Sequence, residues 1–195
     1  QKEYNDAVRR LGKANVALVE KTEYHFPDGG TQPQKHPTVI IGMGPAGLFC
    51  AYYLAQHGYA PVILERGEDV DTRQADVEAF WQTGRLKPDS NVQFGEGGAG
   101  TFSDGKLNTL VKDKYGRNTE VLKTFVRHGA DPSIVYQAKP HIGTDVLSRV
   151  IKSMREEILR LGGEVRFKSQ VTEIKTQNGQ VTGVIVNDRE EIPCE

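Results

Sequence analysis

Residues 38–65 read TVIIGMGPAGLFCAYYLAQHGYAPVILE, and this stretch decides the fold. The apolar run at 38–41 predicts a strand buried on both faces, because strands of parallel sheets are nearly continuous in Val, Ile and Leu. A helix is predicted from about Pro45 to His57, with Gly58 ending it. A second apolar run at 61–65 predicts a second buried strand. The stretch therefore has the size and order of one βαβ unit.

Three glycines between the first strand and the helix have the spacing Gly-x-Gly-x-x-Gly, at Gly42, Gly44 and Gly47. We predict that Gly42 permits a tight turn, Gly44 lets a pyrophosphate approach the backbone, and Gly47 lets the helix pack closely on the sheet. Pro45 and Ala46 lie in the first helical turn, whose free N–H groups and positive dipole end suit a diphosphate. The pattern therefore predicts a dinucleotide site.

An acidic residue ends the second predicted strand. Glu65 follows Gly47 by eighteen residues, and a carboxylate at that position can accept both ribose hydroxyls of an adenosine. The alternative is a solvent-facing strand end in which Glu65 pairs with Arg66. The strand before the glycines and the helix after them favour the ribose role.

At this point the chain resembles a known family. Residues 38–65 look like the flavoprotein form of the fingerprint in the large glutathione-reductase-like superfamily of FAD-binding oxidoreductases, and Glu65-Arg66-Gly67 is similar to a common ending of that family's second strand. The resemblance implies an α/β, Rossmann-like FAD-binding fold: a central parallel sheet, flanking helices and a β-hairpin layer. It also implies FAD as cofactor, with the pyrophosphate at 44–47 and the adenosine ribose at Glu65.

A second glycine cluster, GEGGAG at 95–100, also fits the fingerprint spacing. We do not predict a second nucleotide fold, because 91–94 are too polar for a buried strand and 101–105 are poor helix formers. A loop that approaches a ligand closely is favoured, and an ordinary surface loop is the alternative. The resemblance implies that four residues of this loop contact the cofactor: Gly97, Gly98, Gly100 and Thr101.

Two longer stretches resemble a narrower, mostly bacterial group called FAD-dependent dehydrogenases. They are NVQFGEGGAGTFSDGKL at 91–107 and KPHIGTD at 139–145. Proteins of that group carry a small domain before the flavin domain. We therefore expect residues 1–36 to be the tail of such a domain and a linker, or else a disordered leader. Residues 37–195 are then the amino-terminal part of an FAD-binding domain that is incomplete at its carboxyl end.

The rest of the chain predicts further regular elements. A hairpin is predicted at 171–176 and 181–186, because Asn178-Gly179 favours a two-residue turn. In the superfamily the strand after a long helix places backbone groups against adenine, and Val171 matches that position; a plain core valine is the alternative. Other elements are a helix at 4–11, a strand at 14–19, a helix at 70–81 with Trp81 on its apolar side, helices capped by Thr119 and Thr144, and a strand at 164–167.

Composition excludes several classes of function. The 195 residues are 37% hydrophobic and 26% charged with a net charge of −1, so the chain has no global field to attract nucleic acid or an anionic membrane. No apolar run approaches the ~18 residues of a membrane span. Cys50 and Cys194 form no pair motif, so a reducing cytoplasm is expected, with Cys50 as a small core residue. The histidines have no ligand spacing, so no metal site is predicted.

The predicted activity is transfer of hydride or electrons between a small-molecule substrate and FAD, with NAD(P)H as a candidate electron partner. No catalytic acid or base can be named. Arg73 and Lys106 are expected to be solvated rather than bound to cofactor, and His141 to be structural. Two alternatives remain: an NAD(P)-binding domain, and a flavin-binding module that senses or modifies RNA. The near-neutral charge argues against the second.

Overall fold

The computed structural model describes residues 2–17, 22–107 and 109–194. Its centre is a parallel three-stranded sheet in the order β1-β2-β3, and a second, antiparallel sheet has the order β4-β5-β6. The strands are β1 Val39–Ile41, β2 Val62–Leu64, β3 Glu164–Arg166, β4 Val171–Gln177, β5 Gln180–Val186 and β6 Glu190–Pro193. The helices are α1 Lys2–Leu11, α2 Pro45–Gln56, α3 Val70–Thr83, α4 Arg117–Arg127 and α5 Thr144–Arg160. The predicted α/β fold, with its parallel sheet, flanking helices and β-hairpin layer, is confirmed.

Apolar side chains cover both faces of the parallel sheet. On one face, Ile40 and Ile63 belong to a core that also includes side chains of α2, α4 and α5. On the other face, Val62 and Leu64 pack with residues of β5 and β6 such as Val184. The alternation of side chains along a strand produces this split, because successive residues point to opposite faces. The molecule therefore has three layers, with the parallel sheet in the middle.

The βαβ unit forms close to its predicted bounds, with one difference. β2 is buried at all three positions because it lies between β1 and β3. β1 is an edge strand, and Ile41 is 52% exposed, so the prediction of a first strand buried on both faces is wrong at its last residue. Cys50 is exposed on α2, which corrects its predicted role in the core.

Helix α3 buries a charged side chain where an aromatic one is expected from the sequence. Its buried residues are Val70, Arg73 and Val77, whereas Trp81 is 69% exposed. The side chain of Asp69 caps this helix by accepting hydrogen bonds from the N–H groups of Asp71 and Thr72. The buried face of α3 therefore contains Arg73 and, contrary to prediction, it does not contain Trp81.

The remaining elements differ from prediction at two helix starts and at one strand, which is absent from the described residues. Helices α4 and α5 begin after Gly116 and Gly143, so the caps predicted at Thr119 and Thr144 are wrong. The predicted strand at 14–19 is absent from residues 14–17, where a short 3-10 turn occupies 13–15, and residues 18 and 19 lie outside the described residues. Asn178 and Gly179 have φ of 53° and 78°, so the predicted hairpin turn is confirmed.

Candidate nucleotide-binding site

The three fingerprint glycines have three different environments between β1 and α2. Gly42 has φ of 88°, a value that suits glycine, and its N–H donates to Leu64 O at 2.8 Å. A Cβ at Gly47 would overlap the carbonyl oxygen of Gly42, so α2 approaches the turn too closely for any other residue. A Cβ at Gly44 would have no atom within 4 Å among the described residues other than Gly44 itself and its two chain neighbours. The face of Gly44 is therefore open.

The carboxylate of Glu65 lies beside this turn and is buried, with 4% of the residue exposed. Its Oε2 accepts a hydrogen bond of 2.7 Å from Met43 N, and its Oε1 accepts one of 2.8 Å from Gly67 N. Arg66 pairs with Asp89 at 3.0 Å instead. The alternative in which Glu65 is a solvent-facing partner of Arg66 is therefore wrong.

The second glycine cluster closes over the same turn. Gly97 N donates to Met43 O at 2.8 Å, and a Cβ at Gly98 would lie 3.2 Å from Gly44 Cα and from Pro45 Cδ. Met43 is thus held at its N–H by Glu65 and at its carbonyl oxygen by the loop. The loop contains no α-helix, as expected, and a short 3-10 turn, Ala99–Phe102, that the sequence does not predict.

Arg73 lies beneath this loop and is completely buried. Its guanidinium donates to four carbonyl oxygens in the segment 91–96, which leads into the glycine cluster and forms one loop with it. The four are Asn91 O at 2.8 Å, Val92 O at 3.0 Å, Gly95 O at 3.4 Å and Glu96 O at 2.7 Å. The guanidinium carbon also lies 4.7 Å from the centre of the Phe102 ring. Burial lowers the pKa of Arg73 to about 10, which leaves the side chain charged at neutral pH.

Glu96 completes the support beneath the loop. Its Oε2 accepts a hydrogen bond of 2.7 Å from Val70 N, at the start of α3. Its Oε1 lies 3.1 Å from Arg155 Nε of α5, an ion pair in which the N–H does not point at the oxygen. Burial raises the pKa of Glu96, and the charge of Arg155 opposes that rise. The loop is therefore tied to both α3 and α5.

The sequence does not identify Arg73 and Glu96 as parts of the site. Arg73 is expected from sequence to be solvated, and Glu96 has no predicted role between the glycines. A signal for Arg73 does exist in its place in the helix, because the spacing of Val70, Arg73 and Val77 puts the three on one face. Glu96 has no comparable signal, since its partners come from distant segments.

An apolar cavity of about 470 Å³ adjoins the turn and the loop. Five of the predicted cofactor residues line it: Pro45, Ala46, Gly97, Gly100 and Thr101. Its apolar wall comes from α2, α4 and α5, with Phe49, Phe125 and Ile151 among the side chains. Ser103 and Lys106 belong to the same lining. The cavity can take a flat, largely apolar group next to the phosphate turn.

A second cavity, of about 310 Å³, opens where β2 and β3 end. Arg66 lines it after β2, and Lys168 and Gln170 line it after β3. Among the described residues, Arg66 Nε and Ser90 Oγ are buried without a hydrogen-bond partner, and both residues belong to this lining. Unsatisfied buried polar atoms are costly, so this polar cavity suits a hydrogen-bonding ligand or water.

Val171 is also a predicted cofactor residue, and it lies in neither lining, as do Gly42, Gly44, Gly47, Glu65 and Gly98. Val171 begins β4, and its side chain packs against the apolar cluster between the two sheets. The side chain of Val171 therefore has a packing role, and the neighbouring residue Gln170 lines the polar cavity. His141 is exposed, and its backbone bridges to Lys106.

Two features are absent from the described ranges. No helix there is long and apolar enough to cross a membrane. No group of three or more His, Cys, Asp or Glu residues there is arranged to hold a metal ion.

Comparison with known proteins supports a nucleotide-binding fold. Residues 40–85 match a family described as NAD(P)-binding Rossmann-like domain. Over 186 residues the chain is 47% identical to an "Uncharacterized protein" of Clostridium beijerinckii, an alignment that covers 95% of this chain and 34% of that protein. The chain thus spans about a third of the length of this relative.

Two further similarities are shorter or weaker. The chain is 60% identical over 35 residues to the NADPH-Fe(3+) oxidoreductase subunit beta of Geobacter sulfurreducens, covering 17% of this chain and 5% of that protein. Among solved structures, a glycine oxidase from Bacillus cereus superposes with a TM-score of 0.49 and 16% identity, covering 83% of this chain and 55% of the other.

Proposed function

We propose that this chain is the FAD-binding part of a flavin-dependent oxidoreductase. The observation that carries the proposal is the closure of the glycine-rich loop over the phosphate turn, with the apolar cavity beside it. A dinucleotide whose second half is a large flat ring fits this combination. The match to an oxidoreductase subunit over 35 residues agrees with the class of reaction.

The diphosphate would bind at the amino-terminal end of α2. A helix that begins at Pro45 leaves the N–H groups of Ala46 and Gly47 without intrahelical acceptors, and the helix dipole adds positive potential. The open face of Gly44 would receive the phosphate oxygens. Gly97 and Gly98 would form the opposite wall, since they contact Met43 and Gly44.

The adenosine would lie at the carboxyl ends of β2 and β3. Glu65 would accept the ribose hydroxyls through lone pairs that its two backbone hydrogen bonds leave free. Arg66 and the polar cavity would receive the adenine, and the backbone of Val171, next to Gln170, would lie against it. The side chain of Val171 has only its packing role.

The flavin ring would occupy the apolar cavity, which Gly100 and Thr101 line. When bound, a flavin accepts hydride or electrons from a substrate. The chain's own residues position the cofactor and keep water from its apolar face. A small-molecule substrate and NAD(P)H are the proposed reaction partners, and no residue of the chain is assigned as acid or base.

A second candidate is binding of NAD(P) itself, which the family match at 40–85 favours. Both cofactors contain ADP, so the two proposals share the turn and Glu65. They differ at the apolar cavity. The large, apolar ring of the flavin would fill it, whereas NAD(P) has no such ring. Glu65 also disfavours NADP, because a carboxylate repels a 2′-phosphate.

Calorimetric titration of the full-length protein with FAD, ADP and NAD⁺ tests the proposal. We expect FAD to bind more than about a hundredfold tighter than ADP, since burial of a large ring contributes several kcal/mol. Equal affinities for FAD and ADP would show that the cavity takes no ring. Tighter binding of NAD⁺ than of FAD would establish the second candidate instead.

A further inference from the structure

We propose that Arg73 is a positioning residue for the cofactor site. It fixes the conformation of the glycine-rich loop at 91–100 from the buried side and does not touch the ligand. This inference rests on the proposed function for the identity of the ligand. Its structural part, the control of the loop by Arg73, stands on contacts within the chain.

The contacts of Arg73 are directed at one segment. Its guanidinium is fully buried and donates to the carbonyl oxygens of four residues between 91 and 96. A guanidinium carries five N–H donors in one rigid plane, so a single side chain can orient several carbonyl groups at once. A lysine has three donors on a single nitrogen at the end of a flexible chain, and a methionine has none.

The orientation of one carbonyl is transmitted to the phosphate turn. Arg73 holds Glu96 O at 2.7 Å, and the peptide bond that follows is planar and trans. The N–H of Gly97 therefore points away from Arg73, and it donates to Met43 O at 2.8 Å. Met43 lies between the first two fingerprint glycines. One peptide unit thus connects the buried guanidinium with the turn that would hold the diphosphate.

The loop is shaped to fit this side chain. Gly95 has φ of 120°, and a Cβ at this position would lie 2.6 Å from Arg73 Cδ. A larger residue at position 95 would displace the arginine. Glu96 and Arg155 fix the other side of the same segment, which leaves the loop little freedom to adopt another conformation. A rigid loop needs no ordering when the ligand binds, which favours affinity.

The test compares three variants of the full-length protein: Arg73→Met, Arg73→Lys and Arg149→Met. Arg149 is an exposed arginine of α5 that pairs with Asp145 on the same helix, and its variant is the matched control. Amide hydrogen exchange without ligand is measured first, because it does not depend on the cofactor. We expect Arg73→Met to speed exchange at Glu96 and Gly97 at least about tenfold, with α5 unchanged.

Affinity for FAD is measured second, with the visible spectrum of the bound flavin as a further readout. Arg73→Met should weaken FAD at least about tenfold, Arg73→Lys should recover part of the loss, and Arg149→Met should resemble the wild type. If Arg73→Met does not fold, Arg73→Lys decides by the same two measurements. Wild-type exchange and wild-type FAD affinity in the deciding variant would overturn the proposal.

Failure of the proposed function gives a different result. If the wild type binds no FAD but Arg73→Met still speeds exchange at Gly97, Arg73 positions the loop and the assignment of FAD is wrong. If FAD binds to the wild type and the exchange of Gly97 is unchanged in the variant, FAD stands and the role of Arg73 is wrong.

Discussion

Glu65 Oε2 accepts a hydrogen bond of 2.7 Å from the backbone N–H of Met43, so the acid at the end of β2 holds the turn that precedes α2. The second oxygen of the same carboxylate accepts from Gly67 N at 2.8 Å. The residue that we assign to the ribose is thus also a structural residue. Its variants should change both ligand affinity and stability.

Glu65→Ala should weaken FAD about ten- to a hundredfold, since hydrogen bonds to a charged group are worth about 1.5–3 kcal/mol. It should also lower the free energy of unfolding by about 1–3 kcal/mol, because two N–H groups lose their buried acceptor. Flavin titration and urea denaturation measure the two effects separately.

Glu173→Ala is the control, because Glu173 is an exposed carboxylate on β4 that lines neither cavity. It should change neither quantity. Full FAD affinity in a folded Glu65→Ala protein would remove Glu65 from the proposed site.

Gly44 and Gly47 should separate ligand binding from folding. Gly44→Val should abolish detectable binding of FAD and ADP and leave stability nearly unchanged, because the Cβ position at Gly44 faces open space. Gly47→Ala should cost on the order of 1–3 kcal/mol or more in stability, because its Cβ would overlap Gly42 O. Thermal denaturation with and without ADP distinguishes the two variants. A folded Gly44→Val protein that still binds flavin would refute the phosphate assignment.

Glu68 predicts a dependence of stability on pH. Burial by itself would raise the pKa of Glu68, but hydrogen bonds and charge from Lys87 and Lys168 outweigh it and lower the pKa below its usual value. The stability from this carboxylate is therefore present above the unfolded-state pKa, about 4.3, and is lost as pH falls through the lower folded-state pKa.

Urea denaturation of wild type and Glu68→Gln at about pH 6 and about pH 3 measures this contribution, since the two values lie on either side of the unfolded-state pKa. The variant should be less stable at the higher pH, and the difference should shrink at the lower one. A constant difference between the two pH values would show that the charge of Glu68 contributes nothing. Glu173→Gln is the exposed control.

Gly97 and Gly100 test the loop and the cavity beside it. Gly97 has φ of 81°, and a Cβ there would collide with Thr101 Oγ1 and lie 2.5 Å from Ile151 Cδ1, so Gly97→Ala should destabilise the fold. At Gly100 no described atom beyond the residue itself and its two chain neighbours lies within 4 Å of the Cβ position, and this residue lines the apolar cavity. Gly100→Ala should keep the wild-type unfolding curve and weaken FAD more than ADP. Equal weakening of both ligands would place the ring elsewhere.

The sequence predicts the βαβ unit well because its signals are local. The apolar runs, the glycines at 42–47 and the turn at Asn178-Gly179 each specify backbone conformation within a few residues. The bounds of α2 and of the hairpin therefore agree with prediction to within one or two residues. Gly42, Gly44 and Glu65 lie at one site because all three belong to this βαβ unit.

Tertiary context decides what the sequence does not reveal. The burial of Arg73 depends on carbonyl groups from 91–96, and Arg155 reaches Glu96 from α5, far along the chain. Exposure of Ile41 depends on β1 being an edge strand, which the βαβ pattern does not indicate. Helix starts differ from prediction because glycines rather than Thr119 and Thr144 occupy the cap positions.

The visible absorption spectrum of the purified full-length protein tests the FAD assignment most directly. We predict a flavin spectrum with one FAD for each polypeptide, and loss of the colour in Gly44→Val purified in the same way. A colourless wild-type protein that does not take up added FAD, but binds NADH, would contradict the assignment and establish an NAD(P)-binding domain.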